Sequence, residues 1–353
     1  MRLGLVGLEN VGKKTLFELL TGQTPNVERS REGVPGFADV RDARFESLVE
    51  MYRPKKRTPA IIEFALLPDM STQADRNREL FSTLERVDVI CYVARAFEDD
   101  TVFHACGDVN SARDIRAVSE ELMLCDLLFI EKRLERIDKE SGKKISHQVA
   151  DQERALLQRM QSHLEDGATL ISFDLTEDDR LLTGGYPFMT DKPVVVVVNV
   201  GESEALSLPE DLVADLDRKQ FRVIAVSAKL EQEISQFDPD DRDAFLEDLG
   251  IEEPAIDRLT RLCHEALGLI SFFTVGEDEV RAWTIRRGSL APQAGRAIHD
   301  DIGRGFIRSE VIRFEDLINL GSERSVKEAG RLMQKGKDHV VEDGEIHHFL
   351  FKV

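Results

Sequence analysis

Gly7-Leu8-Glu9-Asn10-Val11-Gly12-Lys13-Lys14-Thr15 has the spacing of a loop built to hold phosphates. In the pattern G-x-x-x-x-G-K-[ST], backbone N–H groups of the loop and of the following helix cradle phosphate oxygens. The lysine reaches the terminal phosphates, and the hydroxyl binds magnesium. Gly7, Gly12 and Lys13 fit this pattern, whereas Lys14 fills the hydroxyl slot. Leu3–Gly7 before the loop reads as a strand and Lys13–Leu20 after it as a helix start, the context the motif requires. Glu9, Asn10, Val11, Gly12, Lys13, Lys14 and Thr15 are therefore the candidate phosphate-binding residues.

A second constellation could read a base. Asn199-Val200-Gly201-Glu202 follows the five valines Val194–Val198, where P-loop GTPases place N-K-x-D. The Asn side chain can bridge a purine and the loop, and a carboxylate three residues on can accept from guanine N1 and N2. Here Glu is longer than Asp and Val200 replaces the lysine, so guanine specificity is weakened. Ser227-Ala228-Lys229 follows Val223–Val226, where a S-A-K motif helps hold the base. Asn199, Val200, Glu202, Ser227, Ala228 and Lys229 are the candidate base-binding residues.

The elements that must position these residues are legible as short apolar runs. Leu3–Gly7, Ile61–Leu66, Val87–Ala94, Val194–Val198 and Val223–Val226 read as strands, by their length and β-branching, in alternation with helical patterns. That alternation predicts an α/β domain with a mostly parallel sheet covered on both faces. Between the third and fourth runs, Ile115, Val118, Leu122, Cys125 and Phe129 are spaced as one helix face, continued by Leu134 and Ile137. Glu140-Ser141-Gly142-Lys143-Lys144 breaks the pattern, and Val149, Leu156, Met160 and Leu164 start a second helix. The reading is an inserted antiparallel coiled-coil hairpin whose charged face is either solvated or a partner surface. Ala228 to Ser271 reads as helical. After Ser271, a strand over Val280–Ile285, a turn at Arg286-Arg287-Gly288, a short helix over Val326–Met333 and a last strand over His347–Val353 predict a small α+β domain. The expected division is 1–110 and 189–270 for the nucleotide domain, 111–188 for the inserted hairpin and 271–353 for the C-terminal domain.

Composition excludes other classes. No apolar run approaches the roughly 20 residues needed to span a bilayer, and no signal peptide is evident. Cys91, Cys106, Cys125 and Cys263 show no C-x-x-C spacing; Cys91 and Cys125 read as buried free thiols, which points to the cytoplasm. The net charge of −20 repels polyanions in general. It is unevenly spread: Ser271–Val353 carries 13 Lys/Arg against 14 Asp/Glu, and Arg281–Arg313 holds seven Arg against Asp300, Asp301 and Glu310. That basic stretch (Arg281, Arg286, Arg287, Arg296, Arg304, Arg308 and Arg313) is either a solvated face or a contact for RNA.

Several blocks together carry a family resemblance. They are Gly4–Lys13, Phe97-Glu98-Asp99-Asp100, Glu131–Arg136 and Phe245–Gly250, and above all Glu279–Arg286, Ala291–Ala294, Gly305–Arg308 and Lys327–Gly330. The chain resembles the YchF class of Obg-related P-loop proteins, the Obg-like ATPases, over nearly its whole length. The resemblance implies a P-loop domain, an inserted coiled coil and a C-terminal TGS domain of ubiquitin-like fold. It also implies an NTP hydrolase that uses ATP in preference to GTP, association with the ribosome or RNA, no membrane, and a monomer. The family credits water activation to a histidine after the F-E-D-D stretch, here His104.

Departures from the family cluster on the phosphates. Lys14 replaces the magnesium-binding Ser, and Glu9 replaces a proline. The family's D-I-A-G aligns with Leu66-Leu67-Pro68-Asp69, so the magnesium-contacting Asp and the γ-phosphate-sensing Gly are both replaced, and Met70–Arg76 is a shortened switch. Ser30 stands near the place of the first-switch threonine. Thr15 lies about 100° further round the helix than the lost hydroxyl and does not replace it. These losses argue against a metal held by the protein. Lys14 itself could supply the positive charge, or swing into solvent and leave a magnesium ion to nucleotide and water, or the loop could be purely structural.

Overall fold

A computed structural model describes residues 1–26, 33–140, 147–202, 208–249, 251 and 253–352. Ser30 and the predicted hairpin break at Ser141–Lys144 lie outside the described residues. The strands are β1 Arg2–Val6, β2 Val34–Val40, β3 Lys56–Thr58, β4 Ala60–Leu66, β5 Val89–Arg95, β6 Val194–Asn199, β7 Arg222–Val226, β8 Leu269–Thr274, β9 Glu279–Arg286, β10 Phe306–Ile312, β11 Met333–Lys335 and β12 Ile346–Phe351. They form two sheets, β2-β4-β1-β5-β6-β7 and β11-β10-β12-β8-β9-β3. The chain divides into two compact units, Met1–Gly36 with Phe64–Ile256, and Phe37–Glu63 with Asp257–Val353. The division runs through β2 and β4.

In the first unit β1, β5, β6 and β7 pair in parallel. The five-valine run is buried along its whole length, as a strand covered on both faces must be. Helix α1 (Lys13–Thr21) follows β1 through the phosphate loop. Helix α2 (Ala43–Tyr52) belongs to the second unit; in the first, α3 (Arg78–Leu84) precedes α4 (Ser111–Glu140), the first helix of the hairpin. Helix α5 (His147–Glu165) packs back on α4 through Ile130, Ile137, Leu156, Leu157, Met160 and Leu164. The period of the apolar positions thus gave both helices correctly. Cys91 is buried in β5, whereas Cys125 on α4 is only half-buried.

One buried carboxylate anchors the base of the hairpin. Asp126 on α4 accepts hydrogen bonds from Met189 N at 2.7 Å, Thr190 N at 2.8 Å and Thr190 Oγ1 at 2.6 Å. Burial pushes its carboxyl up to about 6 against those bonds, which favour the anion.

The remaining helices of the first unit are short: α6 (Glu177–Thr183), α7 (Glu210–Arg218), α8 (Ala228–Ile234) and α9 (Pro239–Asp248). The second unit continues with α10 (Ala255–Ala266) and α11 (Ala291–Ile298). Two expectations are corrected here. Leu269–Ser271 belongs to strand β8 rather than to the helical stretch, because Ile270, Phe272 and Phe273 are all needed in the core. The helix expected over Val326–Met333 ends at Glu328, and Met333 starts β11, which pairs antiparallel with β10. Strand β3 adds to β9 in parallel, through Lys56↔Glu279 to Thr58↔Arg281. Sequence reading missed it because three residues carry no period.

The second unit buries a polar cluster beside its aromatic core. His347 Nε2 and His339 Nε2 lie 3.1 and 2.9 Å from Glu345 Oε2, and His347 Nδ1 lies 3.0 Å from Ser309 Oγ. Desolvation pulls His347 below the ordinary imidazole value even though Glu345 acts to raise it. Glu345 is held low: burial raises it, but hydrogen bonds from His347, Glu342 N and His339 outweigh that. Below the unfolded imidazole pKa of about 6.5 the unfolded chain takes up a proton that native His347 refuses, so stability falls as pH drops. Glu345 adds a loss of the same sign below about 4.5. Urea midpoints read from the single tryptophan, Trp283 on β9, are therefore expected to fall between pH 7.5 and 5. His347→Phe is expected to flatten that slope.

Candidate nucleotide-binding site

The candidate residues converge at the carboxyl ends of β1, β4, β5, β6 and β7, where open α/β sheets bind their ligands. A cleft of about 340 Å³ is lined by Glu9, Asn10, Gly12, Lys13, Lys14 and Thr15, with Asp69, Phe97 and Val102. A second cleft of about 300 Å³ is lined by Asn199, Val200, Glu202, Ala228 and Lys229 among others. The two share Gly12, Thr15 and Phe97, so phosphate and base subsites adjoin.

The loop needs its glycines for space. A Cβ on Gly7 would come within 2.4 Å of the Val93 carbonyl, and one on Gly12 within 2.3 Å of the Asn199 amide. Gly12 also sits at φ 98°, a left-handed conformation that glycine adopts without penalty. The loop residues Glu9, Asn10 and Gly12 and the first residues of α1, Lys13 to Thr15, line the cleft, where backbone N–H groups at a helix start suit a phosphate. Asn199 is what the loop packs on. Its Nδ2 donates to Val11 O at 3.0 Å and its Oδ1 accepts from Ala228 N at 3.0 Å. This buried amide ties the phosphate loop of β1 to the loop after β7. Ser227 caps α8 through Leu230 N. Glu202 forms an ion pair with exposed Lys229, which raises the lysine.

Lys13 is 4 % exposed and uses its ammonium within the protein. It donates to Gly7 O at 2.7 Å and Leu8 O at 2.5 Å, and its Nζ lies 2.6 Å from Asp69 Oδ1. Desolvation lowers its pKa, and Lys14 adds to that while Asp69 and Glu9 oppose it. Lys14 is exposed and has no ion pair among the described residues. Leu66 and Leu67 are buried. The side chains at the magnesium-ligand positions of the resemblance are thus an ammonium and an alkyl group. Neither offers the oxygen that a hard divalent ion requires; of the two carboxylates that line the cleft, Asp69 is engaged by Lys13 and Glu9 stands at neither of those positions. These residues do not fit a magnesium ion held by the protein.

His104 follows Val102, which lines the first cleft, and Phe103, whose carbonyl accepts from Asn10 Nδ2 at 3.3 Å, but its own side chain is buried. It is 3 % exposed and lines neither cleft. Its Nδ1 accepts from Cys106 N at 3.2 Å, and its Nε2 lies 3.2 Å from Asp114 Oδ2, misaligned for a hydrogen bond. His104→Ala is expected to lower unfolding stability by ~1–3 kcal/mol while leaving nucleotide affinity nearly unchanged. Thermal unfolding and calorimetry on one preparation check this. A variant that kept its stability and lost turnover would show the imidazole acting in the cleft.

Arg95, which sequence reading passed over, shapes the wall both clefts share. It ends the apolar run of β5, is fully buried, and donates to the carbonyls of Phe97, Val102 and Asp99 at 3.1, 3.0 and 3.2 Å, with its guanidinium 4.3 Å from the Phe97 ring centroid. The signal was present: an arginine closing a wholly apolar strand must find carbonyl partners.

Comparison with known proteins agrees with this geometry. The chain is 36 % identical to the ribosome-binding ATPase YchF of Bacillus subtilis over 99 % of both chains. It is 35 % identical to that of Escherichia coli O157:H7, over 100 % of this chain and 99 % of the other. This chain belongs to the YchF family. The Obg-like ATPase 1 of Oryza sativa subsp. japonica is 34 % identical over the whole of this chain and 92 % of its own. A solved structure of the Schizosaccharomyces pombe YchF GTPase superposes with a TM-score of 0.86 at 30 % identity, covering 99 % of this chain and 97 % of that one. The family model for the YchF GTPase C-terminal region, described as a protein of unknown function, matches residues 269–352. The expected α/β P-loop fold with a helical insertion and a C-terminal domain is that of the YchF family. No helix among the described residues is long and apolar enough to cross a membrane.

Proposed function

We propose that this protein binds a purine nucleotide in the joined clefts, takes ATP in preference to GTP, has weak or no magnesium-dependent hydrolysis, and acts at the ribosome in the cytoplasm. One observation carries the reading: a sterically complete phosphate loop whose magnesium positions hold Lys14 and buried Leu66. Binding needs the loop N–H groups, Lys13 and Asn199. Hydrolysis by a P-loop enzyme also needs a cation that neutralises charge developing on the transferred phosphoryl group. Weakened guanine selectivity follows from Glu202 and Val200, because the carboxylate faces Lys229 and the usual lysine of N-K-x-D is absent. Calorimetry with ATP, GTP and their diphosphates, with and without magnesium, tests the nucleotide and metal parts of this reading, and phosphate release tests the hydrolysis. The expected result is binding that EDTA does not abolish. Affinity rising steeply with magnesium would refute it.

A second reading, a ribosome- or RNA-binding adaptor in which the nucleotide domain is scaffold, is favoured by the arginines of the second unit. Arg286, Arg287, Arg296, Arg308 and Arg313 are exposed and have no ion pair among the described residues. Unneutralised cations on a small domain suit phosphate backbones. Ribosome or RNA binding that weakens with salt and ignores nucleotide would establish this reading, and both can hold together.

A further inference from the structure

Asp69 occupies the place in the phosphate cleft where a terminal phosphate would meet Lys13. A lysine ammonium has three hydrogens to donate. Those of Lys13 are directed at Gly7 O, Leu8 O and Asp69 Oδ1, at 2.7, 2.5 and 2.6 Å. The first two acceptors are carbonyls of the phosphate loop itself. The third is an anion that enters from the cleft, with its side chain half-exposed, on a segment whose backbone is fixed. Leu67 N donates to Leu5 O at 3.0 Å, Met70 N donates to Gly7 O at 2.9 Å, and Leu8 and Met70 form a β-bridge. Asp69 therefore cannot leave with its loop as a matter of course; only its side chain can turn away.

The phosphate-loop lysine ordinarily reaches the β- and γ-phosphates. The residue aligned with Asp69 in the resemblance is the glycine that senses the γ-phosphate, where a hydrogen atom leaves room for that group. A carboxylate there fills the room and carries the same sign of charge. A triphosphate arriving without a metal ion would bring its most charged end against Asp69, with Glu9 also on the cleft wall. A diphosphate ends one phosphate short of that contact and can still take the loop N–H groups and the exposed ammonium of Lys14.

We propose that this cleft is a nucleoside-diphosphate site, in which the carboxylate of Asp69 takes the place of the terminal phosphate on Lys13. The proposal rests on reading the cleft as a nucleotide site. It narrows the ligand class from purine nucleotides in general to diphosphates, with triphosphates binding only by displacing the Asp69 side chain. It also gives a second reason for weak turnover, since the group to be transferred is the one excluded.

The test measures affinities of ADP and ATP, and of GDP and GTP, by calorimetry in EDTA for the full chain, for Asp69→Gly and for Asp69→Asn. Wild type is expected to bind the diphosphate at least roughly tenfold more tightly than the triphosphate, and Asp69→Gly to raise triphosphate affinity by a similar factor with the diphosphate little changed. Asp69→Asn, which keeps the size and removes the charge, should fall between. Asp69 is half-exposed, but both variants take the ion-pair partner from buried Lys13, so thermal unfolding is read beside the calorimetry to show that each variant is folded. Equal affinity of wild type for both nucleotides would overturn the proposal. So would a preference unchanged in Asp69→Gly, or an equal gain for both nucleotides, which would make Asp69 a plug for the whole cleft. Failure of every nucleotide to bind any of the three proteins would instead remove the nucleotide reading, and the proposal with it.

Discussion

Lys13→Ala is expected to weaken triphosphate binding by roughly 10- to 100-fold, the worth of hydrogen bonds from a charged donor at ~1.5–3 kcal/mol, and diphosphate binding by less, because Asp69 already holds the ammonium. The side chain is directed into the loop rather than to solvent, and its position is set by Gly7 O and Leu8 O. Loss of the ammonium leaves those two carbonyls without their donor. It also removes a buried charge whose desolvation is unfavourable, so unfolding stability should change by less than about 2 kcal/mol. Calorimetry beside thermal unfolding separates the two effects. An unaltered triphosphate affinity would mean that the terminal phosphate, if bound, does not meet this side chain.

Lys14→Ser combined with Leu66→Asp is expected to create a magnesium dependence that the proposed function does not assign to the wild type. The pair returns a hydroxyl at the head of α1 and a carboxylate at the end of β4, the two protein oxygens that the resemblance assigns to the metal. Leu66 is buried, so Leu66→Asp alone should destabilise the protein by ~2–4 kcal/mol, the cost of an uncompensated buried carboxylate. In the double variant with nucleotide, magnesium should recover part of that loss. A thermal midpoint that rises with magnesium in the double variant and not in wild type is the expected signature, together with a gain of roughly 100-fold in turnover if the remaining machinery is intact. Asp69 bears on the outcome: if it holds the terminal position, turnover should rise further when Asp69→Gly is added. A double variant with no response to magnesium would show that the ion was not limiting.

Much of this molecule could be read along the chain, and the reasons are local. The phosphate loop is contiguous, and its glycines announce close backbone approaches whose partners, Val93 O and the Asn199 amide, only the fold reveals. The valine run Val194–Val198 reads as a strand buried on both faces, and the spacing of Leu156, Met160 and Leu164 is that of one packed helix face. The short pieces were not legible. Met333 looked like the end of a helix and lies in β11, and Lys56–Thr58 gave no sign of being a strand, because two or three residues take their conformation from the neighbour they pair with.

The sequence by itself determined the chemistry on offer: a candidate anion cradle, a candidate base-reading asparagine, and an ammonium and an alkyl chain where the resemblance expects metal-binding oxygens. Tertiary structure alone decided where that chemistry points. It turned His104 inward beneath Asp114, gave the hydrogen-bonding capacity of Asn199 to Val11 and Ala228, and laid Asp69 on Lys13 across 56 residues of chain. Residue type sets what a side chain can donate or accept. Which partner it meets depends on how distant strands end beside one another, and no local pattern encodes that.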